Sequence, residues 1–357
     1  MAVFEKLMRQ AFKLAEKGLG YTSPNPPVGA IILNGGEVIA KGYHRRFGAP
    51  HAEIEALRKA GDKSRNATII TTLEPCSHFG KTPPCADALI ESGINKVVSA
   101  IEDPNPMVSG NGFKRLKEAG IEVVNGVGKS CAESFYRPYF KFITTGIPYV
   151  TVKFAQSVDG RIATATGHSR WISSPDSLKF AHKLRAVNDA ILVGANTLDR
   201  DDPLLTTRLV KGASPIRIVL TGSGRLNFKS KLFKDNSTRT FIAVGRDSGI
   251  KPKNNYEIIY LRKQSGALSL WDLLKKLGRI GIMTLLVEGG SEVITSFLKQ
   301  KLVDKVFICL APFMIGEGLN STGDLGIKKI SGAIGFEEIE WRKSGPDMIW
   351  SGRPVWK

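Results

Sequence analysis

His51-Ala52-Glu53 and Pro75-Cys76-Ser77-His78-Phe79-Gly80-Lys81-Thr82-Pro83-Pro84-Cys85 decide how this chain is read. One imidazole and two thiols make three ligands of the kind zinc takes, and they leave one position of a tetrahedral site open. An open position is what a catalytic zinc needs to hold and acidify a water. Glu53 stands two residues from His51, close enough to reach that water without being a ligand.

The pattern follows the H-x-E…P-C-x-x-C signature of zinc deaminases that act on nucleobases. It departs from it in one respect. Eight residues separate Cys76 from Cys85 where the signature has two. The longer loop must fold back to bring both thiolates to one metal, and Pro83 and Pro84 stiffen that return. The rival reading is a structural zinc site closed by a fourth protein ligand, for which His78 and His44 are the candidates. A purely structural site would have no need of Glu53.

Outward from this stretch, the pattern predicts a helix over about Ala52 to Ala60, ended by Gly61. A strand from Ala67 to Leu73 delivers Glu74-Pro75-Cys76, and another helix opens near Cys85. His51 and Cys85 then sit at helix starts, where the partial positive charge favours thiolate over thiol. Upstream, Phe4, Leu7, Met8, Ala11, Leu14 and Ala15 recur at helical spacing up to Gly18. Val28–Leu33 and Val38–Tyr43 flank Asn34-Gly35-Gly36 and read as a hairpin. Downstream, strands at Lys96–Ala100 and Ile121–Asn125 enclose a helix from about Gly112 to Ala119. Strands alternating with helices predict a three-layer α/β/α domain. Asp103 and Asn105, in the turn after the Lys96 strand, lie where open α/β sheets gather ligands and are candidates for reading a pyrimidine's edge.

At 357 residues the chain suits two domains. With 42% apolar and 24% charged residues it has the composition of a soluble globular protein. No apolar run is long enough to span a membrane, and the charged N-terminus does not read as a secretory signal. Four cysteines make no disulfide framework. Cys131 and Cys309 are expected to be free, partly buried thiols, and a reduced cytoplasmic setting follows. The net charge of +18, carried mostly beyond residue 145, would attract polyanions. No block of basic residues marks a nucleic-acid surface.

The domain boundary is expected near Thr144–Pro148, giving domains 1–145 and 146–357. The second half predicts strands at Tyr149–Phe154, Ala190–Val193, Ile216–Leu220, Phe241–Val244, Ile258–Leu261, Thr284–Glu288, Val306–Leu310, Phe336–Arg342 and Met348–Trp350. Helices are expected at Asp176–Val187, Leu268–Leu277 and from Ser291 to about Lys301. There is no G-x-G-x-x-G after a strand. Val287-Glu288-Gly289-Gly290-Ser291 stands at a strand-to-helix junction instead, where paired glycines and a helix N-terminus admit a phosphate. Three more stretches accompany it. They are Ser157-Val158-Asp159-Gly160-Arg161, Gly167-His168-Ser169-Arg170-Trp171-Ile172, and Val193-Gly194-Ala195-Asn196-Thr197 leading to Asp201-Asp202-Pro203-Leu204-Leu205-Thr206-Thr207-Arg208.

Over nearly its whole length the chain resembles the bifunctional riboflavin biosynthesis deaminase–reductases, in that family's domain order. The Leu-Glu-Pro-Cys-Ser-His-x-Gly-x-Thr-Pro-Pro-Cys stretch carries the first half and the four later motifs the second. The resemblance implies a cytidine-deaminase-like domain followed by a dihydrofolate-reductase-like domain that binds NADPH. It implies zinc on His51, Cys76 and Cys85, with Glu53 as proton shuttle. It implies cofactor contacts at Ala155, Trp171, Thr197 and Asp201 and along the turn Gly290, Ser291, Glu292, Val293, Ile294, Thr295 and Ser296. Substrate contacts would be Ser169, Arg185, Leu205, Arg208 and Glu288. Arg185 and Arg208 would hold the substrate's phosphate, since guanidinium forks suit phosphate oxygens. Where the family often carries an Asp-Ser type pair near the cofactor, this chain has Thr221-Gly222. The implied partner is a small phosphorylated pyrimidine, handled by a homo-oligomer without nucleic acid or membrane. A nucleic-acid-editing zinc deaminase with a basic second domain, and a zinc-stabilised binding module, are the rival classes. The first would show the short Cys-x-x-Cys loop, and the second would bind zinc without turnover.

Overall fold

In the computed structural model, which describes residues 2–78, 83–264 and 266–356, the chain forms two compact units, Met1–Gly146 and Ile147–Lys357. Phe79, Gly80, Lys81 and Thr82, part of the Cys76–Cys85 loop, lie outside the described residues.

The first unit holds a five-stranded sheet in the order Glu37–Tyr43, Gly29–Asn34, Thr68–Thr71, Lys96–Ser99 and Glu122–Asn125. The first three strands pair antiparallel and the last three parallel. Gly35 and Gly36 make the hairpin turn. Two close approaches layer helices on both faces. A side chain at Gly29 would strike the carbonyl of Ala11, on the helix Ala2–Ala15. One at Gly42 would strike that of Ala52, on the helix Ala52–Ala60. Gly42 pairs with Ala30, whose Cα is one residue from Gly29, so the two helices lie on opposite faces.

Two helices were not legible in the sequence, Lys129–Phe135 and Arg137–Thr145. Their aromatic residues, not an apolar repeat, hold them down. Phe12, Phe135, Tyr136 and Phe140 pack edge to face and stacked. The buried Tyr136 hydroxyl donates to the carbonyl of Pro27 and shares a hydrogen bond with Thr72 Oγ1.

The second unit is built on a nine-stranded sheet. Its order is Glu257–Leu261, Thr240–Gly245, Ile216–Thr221, Ala190–Gly194, Thr284–Val287, Tyr149–Ser157, Lys305–Ala311, Asp347–Val355 and Gly335–Ser344. The first seven run parallel, and the last two close the sheet as an antiparallel hairpin. Ala190–Gly194, Thr240–Gly245 and Thr284–Val287 are buried throughout, as strands covered on both faces are. Leu270, Leu273, Leu274 and Leu277 turn one face of the helix Leu270–Arg279 onto the sheet. The helices Pro175–Val187 and Ser291–Lys299 match expectation closely, whereas the helix Ala195–Asp201 was not foreseen. No helix among the described residues is long and apolar enough to cross a membrane.

Candidate functional site

His51 is the N-cap of the helix Ala52–Ala60, and Cys85 is the first residue of the helix Cys85–Glu91. Cys76 follows the strand Thr68–Thr71 by a short extended segment. These elements bring the three side chains together. His51 Nδ1 lies 3.2 Å from Cys85 Sγ and 3.5 Å from Cys76 Sγ, and the three ligand atoms fall within 4.8 Å of one another. A tetrahedral zinc with ligands at about 2.0–2.3 Å sets them roughly 3.3–3.8 Å apart, so the donor set and its spacing fit that ion. Cys76 is held down to about 4 by its hydrogen bond with Cys85, against the effect of burial, with help from His51. The Cys85 backbone N–H also donates to Cys76 Sγ at 3.3 Å.

Neither His44 nor His78 joins the metal-holding group found among the described residues. His44 engages the carbonyl of Pro50 through Nδ1 and sets its ring edge-on to His51. Glu53 is buried, with Oε2 3.6 Å from Cys85 Sγ and Oε1 accepting from Thr71 Oγ1 at 3.4 Å. Burial raises its pKa, and the neighbouring His51 opposes that shift. A carboxyl beside the ligands, in a dry position and able to carry a proton, is what general acid–base chemistry requires.

Asp103 is buried in the loop that follows the strand Lys96–Ser99. Both of its carboxylate oxygens accept from the Tyr139 hydroxyl at 3.1 Å, and Oδ1 accepts the Asn105 backbone N–H at 2.9 Å. Burial lifts its pKa to about 6 despite those donors. Glu74 directly precedes Pro75-Cys76. Its buried carboxylate accepts four backbone N–H groups, those of Asp103, Gly110, Gly112 and Phe113, at 2.9–3.1 Å. It therefore fastens the Asp103 loop and the start of the helix Asn111–Glu118 to the segment that carries Cys76. Its place directly before Pro75-Cys76 was the only signal for it in the sequence.

In the second unit the candidate residues gather beyond the carboxyl ends of the parallel strands, where such sheets bind ligands. Glu288 follows Val287 directly and is clamped by Arg185 through two parallel hydrogen bonds, Nε to Oε1 at 3.0 Å and Nη2 to Oε2 at 2.8 Å. Burial would raise the pKa of Glu288, but the charge and fork of Arg185 outweigh it and hold the carboxyl down. This changes the expectation for Arg185, whose fork is committed to Glu288 and, through Nη1, reaches the carbonyl of Thr206. Arg208 is exposed, and no carboxylate pairs with it among the described residues.

Thr197 and Asp201 lie on the helix Ala195–Asp201. Thr197 Oγ1 accepts the Gly290 N–H at 3.1 Å, and Ser169 Oγ donates to Asp201 Oδ1 at 3.4 Å. Ala155 is half-buried near the end of its strand, Trp171 is exposed, and Leu205 is buried with a positive φ of 56°. Ser291 to Ser296 form the first turns of the helix Ser291–Lys299. Within them Asn196 donates to Glu292, Thr295 Oγ1 donates to the Ser291 carbonyl, and Ser296 Oγ donates to that of Glu292. Val293 packs against Gly194 and Gly289. Ile294 is fully buried in the core, so its side chain cannot face a ligand. Thr221 caps the following turn by accepting the Gly224 N–H. Outside both clusters Cys309 is buried, whereas Cys131 is exposed, contrary to expectation.

The comparisons with known proteins agree with this geometry. Residues 1–101 match the cytidine and deoxycytidylate deaminase zinc-binding region, and residues 148–350 match the RibD C-terminal domain. The riboflavin biosynthesis protein RibD of Aquifex aeolicus is 43% identical, over 96% of each chain. That of Escherichia coli is 38% identical, over 96% of this chain and 97% of the other. A crystal structure from Thermotoga maritima, described as a diaminohydroxyphosphoribosylaminopyrimidine deaminase/5-amino-6-(5-phosphoribosylamino)uracil reductase, covers 99% of both chains with a TM-score of 0.88 at 36% identity. RibD of Acinetobacter baumannii also covers 99% of both, with a TM-score of 0.90 at 32% identity. With a zinc-type ligand triad in its first unit, a strand-end cluster in its second, and this similarity along its length, the chain belongs to the RibD family of riboflavin biosynthesis proteins.

Proposed function

We propose that this chain performs two consecutive steps of riboflavin synthesis. It hydrolyses the 2-amino group of 2,5-diamino-6-(5-phosphoribosylamino)pyrimidin-4(3H)-one, and then reduces the ribosyl group to give 5-amino-6-(5-phosphoribitylamino)uracil. The observation that carries this reading is the convergence of His51, Cys76 and Cys85 beside the buried carboxyl of Glu53. Those three residues hold zinc, which supplies a Lewis acid able to activate water at neutral pH. Glu53 Oε2 accepts a proton from the attacking water and returns one to the amino nitrogen, which leaves as ammonia. Asp103 and Asn105 read the pyrimidine's edge, with Glu74 and Tyr139 holding their loop.

In the second unit NADPH supplies the hydride. Thr197, Asp201, Ala155, Trp171 and the turn from Gly290 to Ser296, apart from the buried Ile294, hold it, and the helix start at Ser291 suits its phosphates. Ser169, Leu205, Arg208 and the Arg185–Glu288 pair hold the sugar phosphate, and Arg208, which no carboxylate pairs among the described residues, meets its charge. The protein's part is to position the two reactants. A cytoplasmic homo-oligomer belongs to the same reading.

Purified protein given the diaminopyrimidinone phosphate is expected to release ammonia without NADPH, and to oxidise NADPH only after that release. Absence of both signals overturns the reading. kcat/KM is expected to favour NADPH over NADH at least about tenfold, more so at low salt where the extra phosphate is least screened. Equal use of NADH would remove the cofactor assignment alone.

The carboxyl of Asp103 titrates at about 6, so the KM for the pyrimidine is expected to change through that pH. Tyr139→Phe deletes an O–H that favours the charged carboxylate, and the change should move to higher pH. A pH profile of deamination that is identical in Tyr139→Phe would show that Asp103 does not face the substrate.

A further inference from the structure

His182 stands on the helix Pro175–Val187, one turn before Arg185, and only 3% of it is exposed. Its Nδ1 accepts the backbone N–H of Arg208 at 3.1 Å. Residues 202–208 form no strand and no helix, so their backbone groups need partners from side chains. Thr207 donates to Ser214 Oγ, the Thr206 carbonyl accepts from Arg185 Nη1, and Arg208 donates to His182. The helix thus grips this segment twice, one turn apart, at the residues on either side of Thr207.

We infer that His182 is the positioning residue of the sugar-phosphate subsite: as a neutral acceptor it fixes the backbone of Arg208 and so aims that residue's free guanidinium. This rests on the reductase reading proposed above. The acceptor role requires an unprotonated Nδ1, and the surroundings keep it so. Burial first, and then the cations of Arg185, Arg208 and Lys153, hold the imidazole down to about 4, with Glu288 opposing. The grip therefore persists at any pH near neutrality. Above pH 5 a charged His182 is not needed to explain anion binding. The positive charge offered to the phosphate comes from arginine, while the histidine contributes geometry.

The test uses His182→Leu, which removes the acceptor, and His182→Gln, whose side-chain carbonyl can restore one. Losing the partner of a half-buried N–H should raise the KM for the phosphorylated reductase substrate about tenfold in His182→Leu, with kcat within about threefold. The dephosphorylated substrate should show no comparable rise, because the guanidinium then has nothing to meet. His182→Gln should recover most of the loss. An unchanged melting curve of the full chain, together with the retained kcat, reports whether the second unit, which carries His182, is folded. A wild-type KM in His182→Leu, an equal rise for the dephosphorylated substrate, or no recovery in His182→Gln overturns the inference. Ribose 5-phosphate binding, measured by calorimetry on the full chain, separates this from the reductase reading. Weaker binding in His182→Leu alone supports the subsite even if the wild type fails to reduce the substrate. Equal binding by all three proteins, or none by the wild type, refutes the subsite.

Discussion

Glu53→Gln is expected to keep the metal and lose deamination by roughly 10²–10⁴-fold. The amide has the size of the carboxyl and can still accept from Thr71 Oγ1, so the helix Ala52–Ala60 and its neighbours have no reason to shift. The ligands His51, Cys76 and Cys85 are untouched. What the amide cannot do is take a proton from water and hand it to a leaving nitrogen. Three measurements separate this from misfolding: bound zinc at about one per chain, an unchanged melting curve, and NADPH oxidation at the wild-type rate with the deaminated substrate. Ammonia release within about threefold of wild type would remove Glu53 from the proton-carrying role.

The second large effect is loss of the metal. Cys76→Ala and Cys85→Ala each leave two of three ligands, too few for a tight zinc site. Metal content is expected to fall from about one per chain to near zero, with deamination below detection. Reduction of the deaminated substrate should survive in both variants. The reductase candidates lie in a unit with its own nine-stranded sheet and its own apolar core. Cys85 is fully buried and Cys76 is not, so Cys85→Ala should also lower the stability of the first unit by more. A variant that keeps stoichiometric zinc would refute the ligand assignment. A folded variant that loses reduction as well would refute the independence of the two sites.

The Arg185–Glu288 pair bears on how the second site works. Both side chains are largely buried, and the pair is bidentate. A guanidinium committed in this way orders the site more than it attracts anions. Arg208 has no carboxylate partner among the described residues, and under the proposed reductase reading this division of labour between two arginines is what gives His182 its significance.

The sequence by itself determined a good deal. Most of the strands and helices, the turn at Gly35-Gly36, the placing of His51 and Cys85 at helix starts, and the grouping of His51, Cys76 and Cys85 were legible. Each rests on short-range spacing: apolar periodicity, turn residues, and a motif compressed into a few dozen positions. The helices Lys129–Phe135 and Arg137–Thr145 were not legible, because aromatic packing with Phe12 and the bonds of Tyr136 to Pro27 and Thr72 stabilise them, and those contacts cross from 64 to more than a hundred residues. Only the tertiary structure decided which charges meet. Arg185 could have been a phosphate ligand on its own, but the parallel pairing of the Ala190 and Thr284 strands brings Glu288 to it from 103 residues away. Glu74 looked like part of a motif until its carboxylate was seen to hold four backbone amides of a distant loop. His182, on the helix Pro175–Val187, meets the Arg208 N–H only through the folding of the chain. Periodicity is a local property of the chain, whereas the partner of a buried polar group depends on sheet order and crossovers, which bring together residues that no window of sequence contains.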